Sequence, residues 1–248
     1  MDEAVRRTLL DLNRIFYAST ADEFSATRQQ PWPGFDGILP YIPPGVKGQP
    51  LRVLDVGCGN GRFASYLADQ DRAVDYTGVD ASSALLDLAR SQTEDLSGVS
   101  TTYLQADLAD PEWASGLTTG GLYDLVSCFA TFHHLPGIDL RQRVLMDLAH
   151  LTAPRGIIAI SYWQFLSADR FQAKLADWAE IGLSEDQVDP GDALLPWKRG
   201  PHILRYVHQI EDAEARHLAT AAHLPLLHTF RADGKEGNLN LYHVLGGG

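Results

Sequence analysis

The run Val53-Leu54-Asp55-Val56-Gly57-Cys58-Gly59-Asn60-Gly61-Arg62 puts an acid and three glycines at the end of a short apolar strand. Glycine has no Cβ, so the backbone can turn sharply there and come closer to a ligand than any other residue allows. The spacing narrows the ligand. A dinucleotide fingerprint G-x-G-x-x-G would place its third glycine at position 62, which is Arg62. An acid beside an open glycine turn suits a ligand with an ammonium group and no phosphate. Two later runs end in the same way, Asp75-Tyr76-Thr77-Gly78-Val79-Asp80 and Thr101-Thr102-Tyr103-Leu104-Gln105-Ala106-Asp107. In nucleoside-binding α/β folds an acid at the end of the second strand accepts hydrogen bonds from both ribose hydroxyls, which assigns that role to Asp80. One such Asp alone would read as a helix N-cap. Three at the carboxyl edge of one parallel sheet would face a single crevice. Asp124 precedes the apolar part of its strand and reads as structural.

Alternating strands and helices are needed to deliver these acids to one edge. Val5, Leu9, Leu12 and Phe16 recur at helical steps and predict a helix over residues 2–18. A Pro/Gly-rich stretch leads into strand 51–56, after which helix 61–69, strand 75–79, helix 83–93 and strands 101–105 and 122–128 follow. Helix 140–151 buries Val144, Leu145, Leu148 and Leu151 and stops before Pro154, ahead of a fully buried strand at 156–162. The alternation implies a doubly wound, mostly parallel sheet with helices on both faces. Between 163 and 225 it lapses, with helices expected around 168–180 and at 211–222 and an irregular stretch between them. Residues 225–231 and 238–245 predict an antiparallel hairpin across Asp233-Gly234 and Gly237.

The D-x-G-x-G turn resembles motif I of the class I S-adenosylmethionine (SAM) methyltransferases, and a closing antiparallel hairpin is the ending of that Rossmann-like, seven-stranded fold. The resemblance implies SAM as cofactor, lying across Asp55, Gly57, Gly59, Gly61 and Asp80. It further implies that Asp107 takes the adenine amino group with the Leu108 backbone beside it, and that Tyr17, Ala81 and Phe129 line the same site.

Three other segments are similar to one branch, the eukaryotic methyltransferases that esterify carboxymethyluridine at the tRNA wobble position. They are Tyr17 with Phe24-Ser25-Ala26-Thr27-Arg28-Gln29-Gln30-Pro31-Trp32-Pro33, then Phe132-His133-His134-Leu135, then Leu195-Pro196-Trp197-Lys198 with Arg205-Tyr206-Val207-His208. The branch implies a tRNA acceptor, with Arg28, His133, His134, Arg205 and Tyr206 facing it, and a small zinc-binding activating partner. The chemistry fits those residues. A carboxylate is ionised at neutral pH and needs positioning, which Arg28 and Arg205 can give bidentately while Trp163, Trp197 and Tyr206 offer rings for a splayed base. A hydroxyl acceptor would instead need His133 or His134 as general base. Otherwise the two imidazoles cap the cofactor or bond backbone, and the tryptophans pack a core.

The 248 residues with 45% hydrophobic content suffice for one large domain over 1–248, with 1–50 an N-terminal helical lid segment and 163–225 a cap insertion. A formal charge of -12 argues against a surface that grips phosphate backbones throughout. One window, Ala193 to Gln209, lacks acids and holds Lys198, Arg199, His202, Arg205 and His208. No apolar run approaches the roughly 18 residues of a membrane span, so a soluble, cytoplasmic protein without membrane association is expected. Cys58 and Cys128 show no C-x-x-C spacing and His133-His134 has no third ligand nearby, so no bound metal is expected. The alternatives to a tRNA methylase are O- or N-methylation of a small metabolite, SAM binding without turnover, and a nicotinamide oxidoreductase disfavoured by Arg62.

Overall fold

A computed structural model describes residues 1–46, 48–197 and 203–247; Lys198, Arg199 and His202 of the basic window lie outside them. Strands β1 (Leu51–Val56), β2 (Val74–Asp80), β3 (Val99–Gln105), β4 (Tyr123–Phe129) and β5 (Thr152–Trp163) run parallel, and β8 (Leu226–Ala232) and β9 (Asn240–Gly246) form the antiparallel hairpin. The seven-stranded order is β3-β2-β1-β4-β5-β9-β8. The order reverses at β1, so a crevice opens beyond the carboxyl ends of β1, β2 and β4, where such sheets bind ligands. Ile157 to Ile160 of β5 are buried without alternation because helices cover both sheet faces.

Helices α2 (Arg62–Ala68) and α3 (Ser83–Thr93) flank β1 and β2, and α4 (Ile138–Leu151) lies on the other face with Val144, Leu145, Leu148 and Leu151 buried. Ser82 caps α3 by accepting a hydrogen bond from Leu85 N at 3.3 Å. Helix α1 (Glu3–Ala26) runs past the expected end at 18, since no Gly or Pro stands before Pro31 to stop it. Val5, Leu9 and Phe16 form its buried stripe.

The helix expected over 168–180 does not form. Only α5 (Asp169–Gln172) is α-helical there, because Ala176 pairs with Leu194 as an isolated bridge and Asp177 caps a separate turn at Trp178–Ile181. The stretch expected to be irregular contains a second sheet, β6 (Asp192–Pro196) paired antiparallel with β7 (Leu204–His208). This hairpin packs on α1 through Leu194, Leu204 and Tyr206 against Val5 and Leu9. The last helix, α6 (Asp212–Ala221), lies against α4 and β9. Among the described residues no helix is long and apolar enough to cross a membrane.

Candidate active site

The crevice beyond β1, β2 and β4 is a cavity of about 1240 Å³. Ligand pockets usually hold roughly 300–1,000 Å³, so this one has room for more than one molecule. Its floor is the glycine turn. Gly57 has φ +72°, and a Cβ there would lie 2.0 Å from Thr131 Oγ1, so the turn excludes any side chain at this point. Gly59 has φ +55° with nothing within 4 Å of a would-be Cβ, leaving its backbone bare toward the cavity.

Asp80 ties this turn to the end of β2. Its Oδ2 accepts from Gly59 N and its Oδ1 from Ser82 N, both at 2.9 Å, while burial pushes the carboxyl above its ordinary range. Asp55 is also buried. Tyr76 OH donates to it at 2.6 Å and Ser127 Oγ at 2.7 Å, and burial pushes its pKa up to about 6. Each oxygen of both acids keeps a lone pair, and both residues line the cavity. Asp107 is held from two sides, by Ala109 N at 2.9 Å and by Arg14 Nε at 2.8 Å. Arg14 sits on α1, so the helix closes over this end of the cavity; Tyr17, Ala81, Leu108 and Phe129 all belong to the cavity wall. A bare glycine backbone with a buried and a half-buried carboxylate and no phosphate cradle fits a nucleoside carrying an ammonium group, as in SAM.

The other end carries cations among rings. The Arg28 guanidinium lies 3.5 Å over the Phe24 ring, and its Nη1 donates to Thr27 Oγ1 at 2.7 Å. Arg205 Cζ stands 5.0 Å from the Trp163 ring, 5.3 Å from Phe16 and 5.9 Å from Trp197, and it faces the Tyr17 phenol. Neither arginine is ion-paired among the described residues. Burial lowers both, Arg28 to about 10 with the Arg205 and Arg62 charges adding to the effect. Arg62, on the first turn of α2, stacks 4.1 Å over Trp32 and is likewise pushed down to about 10 by burial. Desolvated cations without counter-ions are costly, and an anionic ligand would relieve that cost.

The histidine pair splits into two environments. His134 Nδ1 lies 3.0 Å from the Tyr206 carbonyl, which can only accept, so Nδ1 carries the proton. Nε2 therefore accepts, at 2.7 Å, from Tyr17 OH. Both nitrogens are used, and burial with the Arg205 charge pushes His134 down to about 3. Asn13 braces the arrangement by accepting from Tyr206 N at 2.9 Å. His133 is buried, lines the cavity and is held well below its ordinary value by burial and by His134; its Nδ1 has no partner.

Tyr206 was expected to face the acceptor and does not line the cavity. Neighbouring residues of a strand point to opposite faces, so Arg205 and Tyr206 cannot share one. The Tyr206 ring is fully buried beside Leu9 and Leu204, and its hydroxyl donates to Asp192 Oδ1 at 2.7 Å. Sequence reasoning missed Arg62 as a lining cation, although it was noticed for displacing a glycine. It also missed Arg14, Asn13 and Phe171. Only the i,i+4 spacing of Asn13 and Tyr17 on one helix face could have flagged Asn13. Among the described residues no group of three His, Cys, Asp or Glu side chains is placed to hold a metal ion.

Residues 54–158 match a family model described as a methyltransferase domain. The chain is 24% identical over 180 residues to the tRNA (carboxymethyluridine(34)-5-O)-methyltransferase of Arabidopsis thaliana, covering 72% of this chain and 39% of that protein. It is 32% identical over 111 residues to the ubiquinone biosynthesis O-methyltransferase of Rickettsia canadensis, covering 45% and 42%. The chain thus spans well under half the length of these relatives. A SAM-dependent methyltransferase structure from Methanosarcina mazei superposes with a TM-score of 0.63 at 15% identity, over 88% of this chain and 98% of that one.

Proposed function

We propose that this chain, built on a class I SAM-dependent methyltransferase domain, methylates a carboxylate oxygen, and that the acceptor is a carboxymethyl group on a tRNA wobble uridine. One observation carries the acceptor chemistry. Arg28 and Arg205 stand in the cavity among aromatic rings with no carboxylate of the described chain to neutralise them. The tRNA assignment rests on the Trp- and Arg-bearing segments and on the similarity to the plant enzyme.

SAM, when bound, supplies an electrophilic methyl group on a sulfonium. Asp80 and the Gly57–Gly61 turn offer ribose and backbone contacts, and Asp55 offers a carboxylate to the ammonium group. Arg28 and Arg205 hold and orient the acceptor anion, and Phe16, Trp163 and Trp197 keep water from it. A carboxylate needs no proton removed. His134 agrees with that, since both its nitrogens are committed to Tyr17 and Tyr206 and its basicity is suppressed.

The net charge of -12 favours a second reading, a small carboxylate metabolite that needs no phosphate contacts. Labelled methyl transfer from SAM to unfractionated tRNA and to a metabolite extract separates the two. Base-labile label in a tRNA nucleoside is the expected result. Label in the metabolite fraction alone would retire the tRNA acceptor, and base-stable label would retire the ester.

A further inference from the structure

We propose that Trp197 is a specificity-determining residue whose indole N–H donates to the acceptor's carboxylate, beside the arginines. This rests on the carboxylate reading above. The indole nitrogen is a donor only, so it can be satisfied by nothing except an acceptor atom. Trp197 Nε1 is buried and has no hydrogen-bond partner among the described residues, while the residue lines the cavity. Buried donors are paired in the great majority of native proteins, and leaving one unpaired is costly. The missing partner therefore comes from what fills the cavity.

The ring is not free to swing away and find another partner. Trp197 follows β6, and its backbone N donates to Ile203 O at 2.8 Å, which closes the ladder beyond Pro196. Phe16 meets the indole edge-on at 5.6 Å and 84°, and Phe24 lies against it at 6.2 Å. Phe24 in turn carries the Arg28 guanidinium, and Arg205 Cζ stands 5.9 Å from the indole ring. One aromatic cluster thus holds two guanidinium groups and the unpartnered indole together at the wall of one cavity. That donor set suits a planar anion with two oxygens. A carboxamide would present its own NH2 to groups that can only donate, and a site built for acceptors rejects such a mismatch.

The test uses the full chain saturated with S-adenosylhomocysteine and the probes 5-carboxymethyluridine and its carboxamide. The five tryptophans give indole 1H–15N signals, among which Trp197→Phe identifies the relevant one. If that variant does not fold, triple-resonance assignment of the wild type serves instead. Titration with the acid is expected to shift the Trp197 indole proton downfield, and the amide is expected to bind at least about tenfold more weakly. Trp197→Phe keeps the ring and removes the donor. It is expected to raise KM for the acceptor roughly 10- to 100-fold with kcat and cofactor affinity retained. Binding of the acid, measured by calorimetry, with an unmoved Trp197 signal would overturn the role of Trp197 and leave the carboxylate reading standing. Absence of acid binding altogether would overturn both.

Discussion

Asp55 makes cofactor binding depend on pH. Its carboxyl is pushed up to about 6 by burial, against the lowering effect of the Tyr76 and Ser127 hydroxyls. An ammonium group favours the ionised form, so affinity for S-adenosylhomocysteine should fall as pH drops through 6 and level off above it. Calorimetry across that range should show the slope in the wild type and a flat profile in Asp55→Asn; a slope that survives in the variant would move the effect to another group. Arg28 is argued to act on the other substrate. Arg28→Ala should leave cofactor affinity unchanged and lower kcat/KM roughly 10- to 100-fold, the cost of a lost charged hydrogen bond. Parallel loss of both would make Arg28 a cofactor residue. At this scale the sequence exposed the residues whose types carry a clear chemistry, the acids at strand ends and the arginines among Trp and Pro. It misplaced Tyr206 because a motif read as a string ignores the alternation of strand faces. The commitment of His134 depends on a backbone carbonyl 72 residues away, which no spacing announces.

The β6–β7 hairpin carries Arg205 and Trp197, so whatever holds that hairpin also holds the acceptor site. His208, at the end of β7, lies 2.7 Å from Asp192 Oδ1 on β6 and 2.9 Å from Glu214 Oε2 on α6, and both ring nitrogens can donate only in the imidazolium form. Burial lowers its pKa, but the two carboxylates more than offset that and the net shift is upward, with Arg141 and Glu214 paired alongside at 2.8 Å. A folded-state value above the unfolded one means that the stabilisation is complete below the unfolded pKa and is lost as pH rises through the folded one. Urea unfolding should therefore show wild-type stability declining as pH rises above the ordinary imidazole value, and His208→Asn should lose most of the decline. An identical decline in both would take the clip out of the hairpin's anchoring. None of this was legible beforehand. Ala193-Leu194-Leu195 is too short an apolar run to announce a strand, and the helix expected over 168–180 lost its backbone partners to Leu194 of that same hairpin. The central sheet was legible because its strands are continuous apolar runs separated by capped amphipathic helices, a pattern that long-range pairing reinforces instead of overriding.

Charge sets the terms on which the whole molecule can meet a nucleic acid. Its formal balance is -12, yet four arginines line the cavity, Arg14 paired with Asp107 and Arg28, Arg62 and Arg205 without an ion-pair partner among the described residues. An anionic group is thus drawn to the arginine-bearing end of the cavity and gains little from the acidic exterior. At the acceptor end two further cations, Arg170 and Lys174, have their charged groups 4.9 Å and 5.5 Å from the ring of the lining residue Phe171. Counter-ion release scales with the number of phosphates neutralised, so a protein making about two such contacts should lose only about tenfold in tRNA affinity for a fourfold rise in salt. Six to ten contacts would cost roughly 10³- to 10⁵-fold over a similar range. The measurement is KM for tRNA across that salt series, with the free nucleoside 5-carboxymethyluridine as control. A shallow slope for tRNA and none for the nucleoside is the expected result. It would mean that the pocket reads the modified base and that most backbone affinity is supplied by another surface, such as the activating partner that the resemblance implies. A steep slope would show a phosphate track beyond Arg170 and Lys174, and a flat response for both acceptors would turn the argument toward a free metabolite.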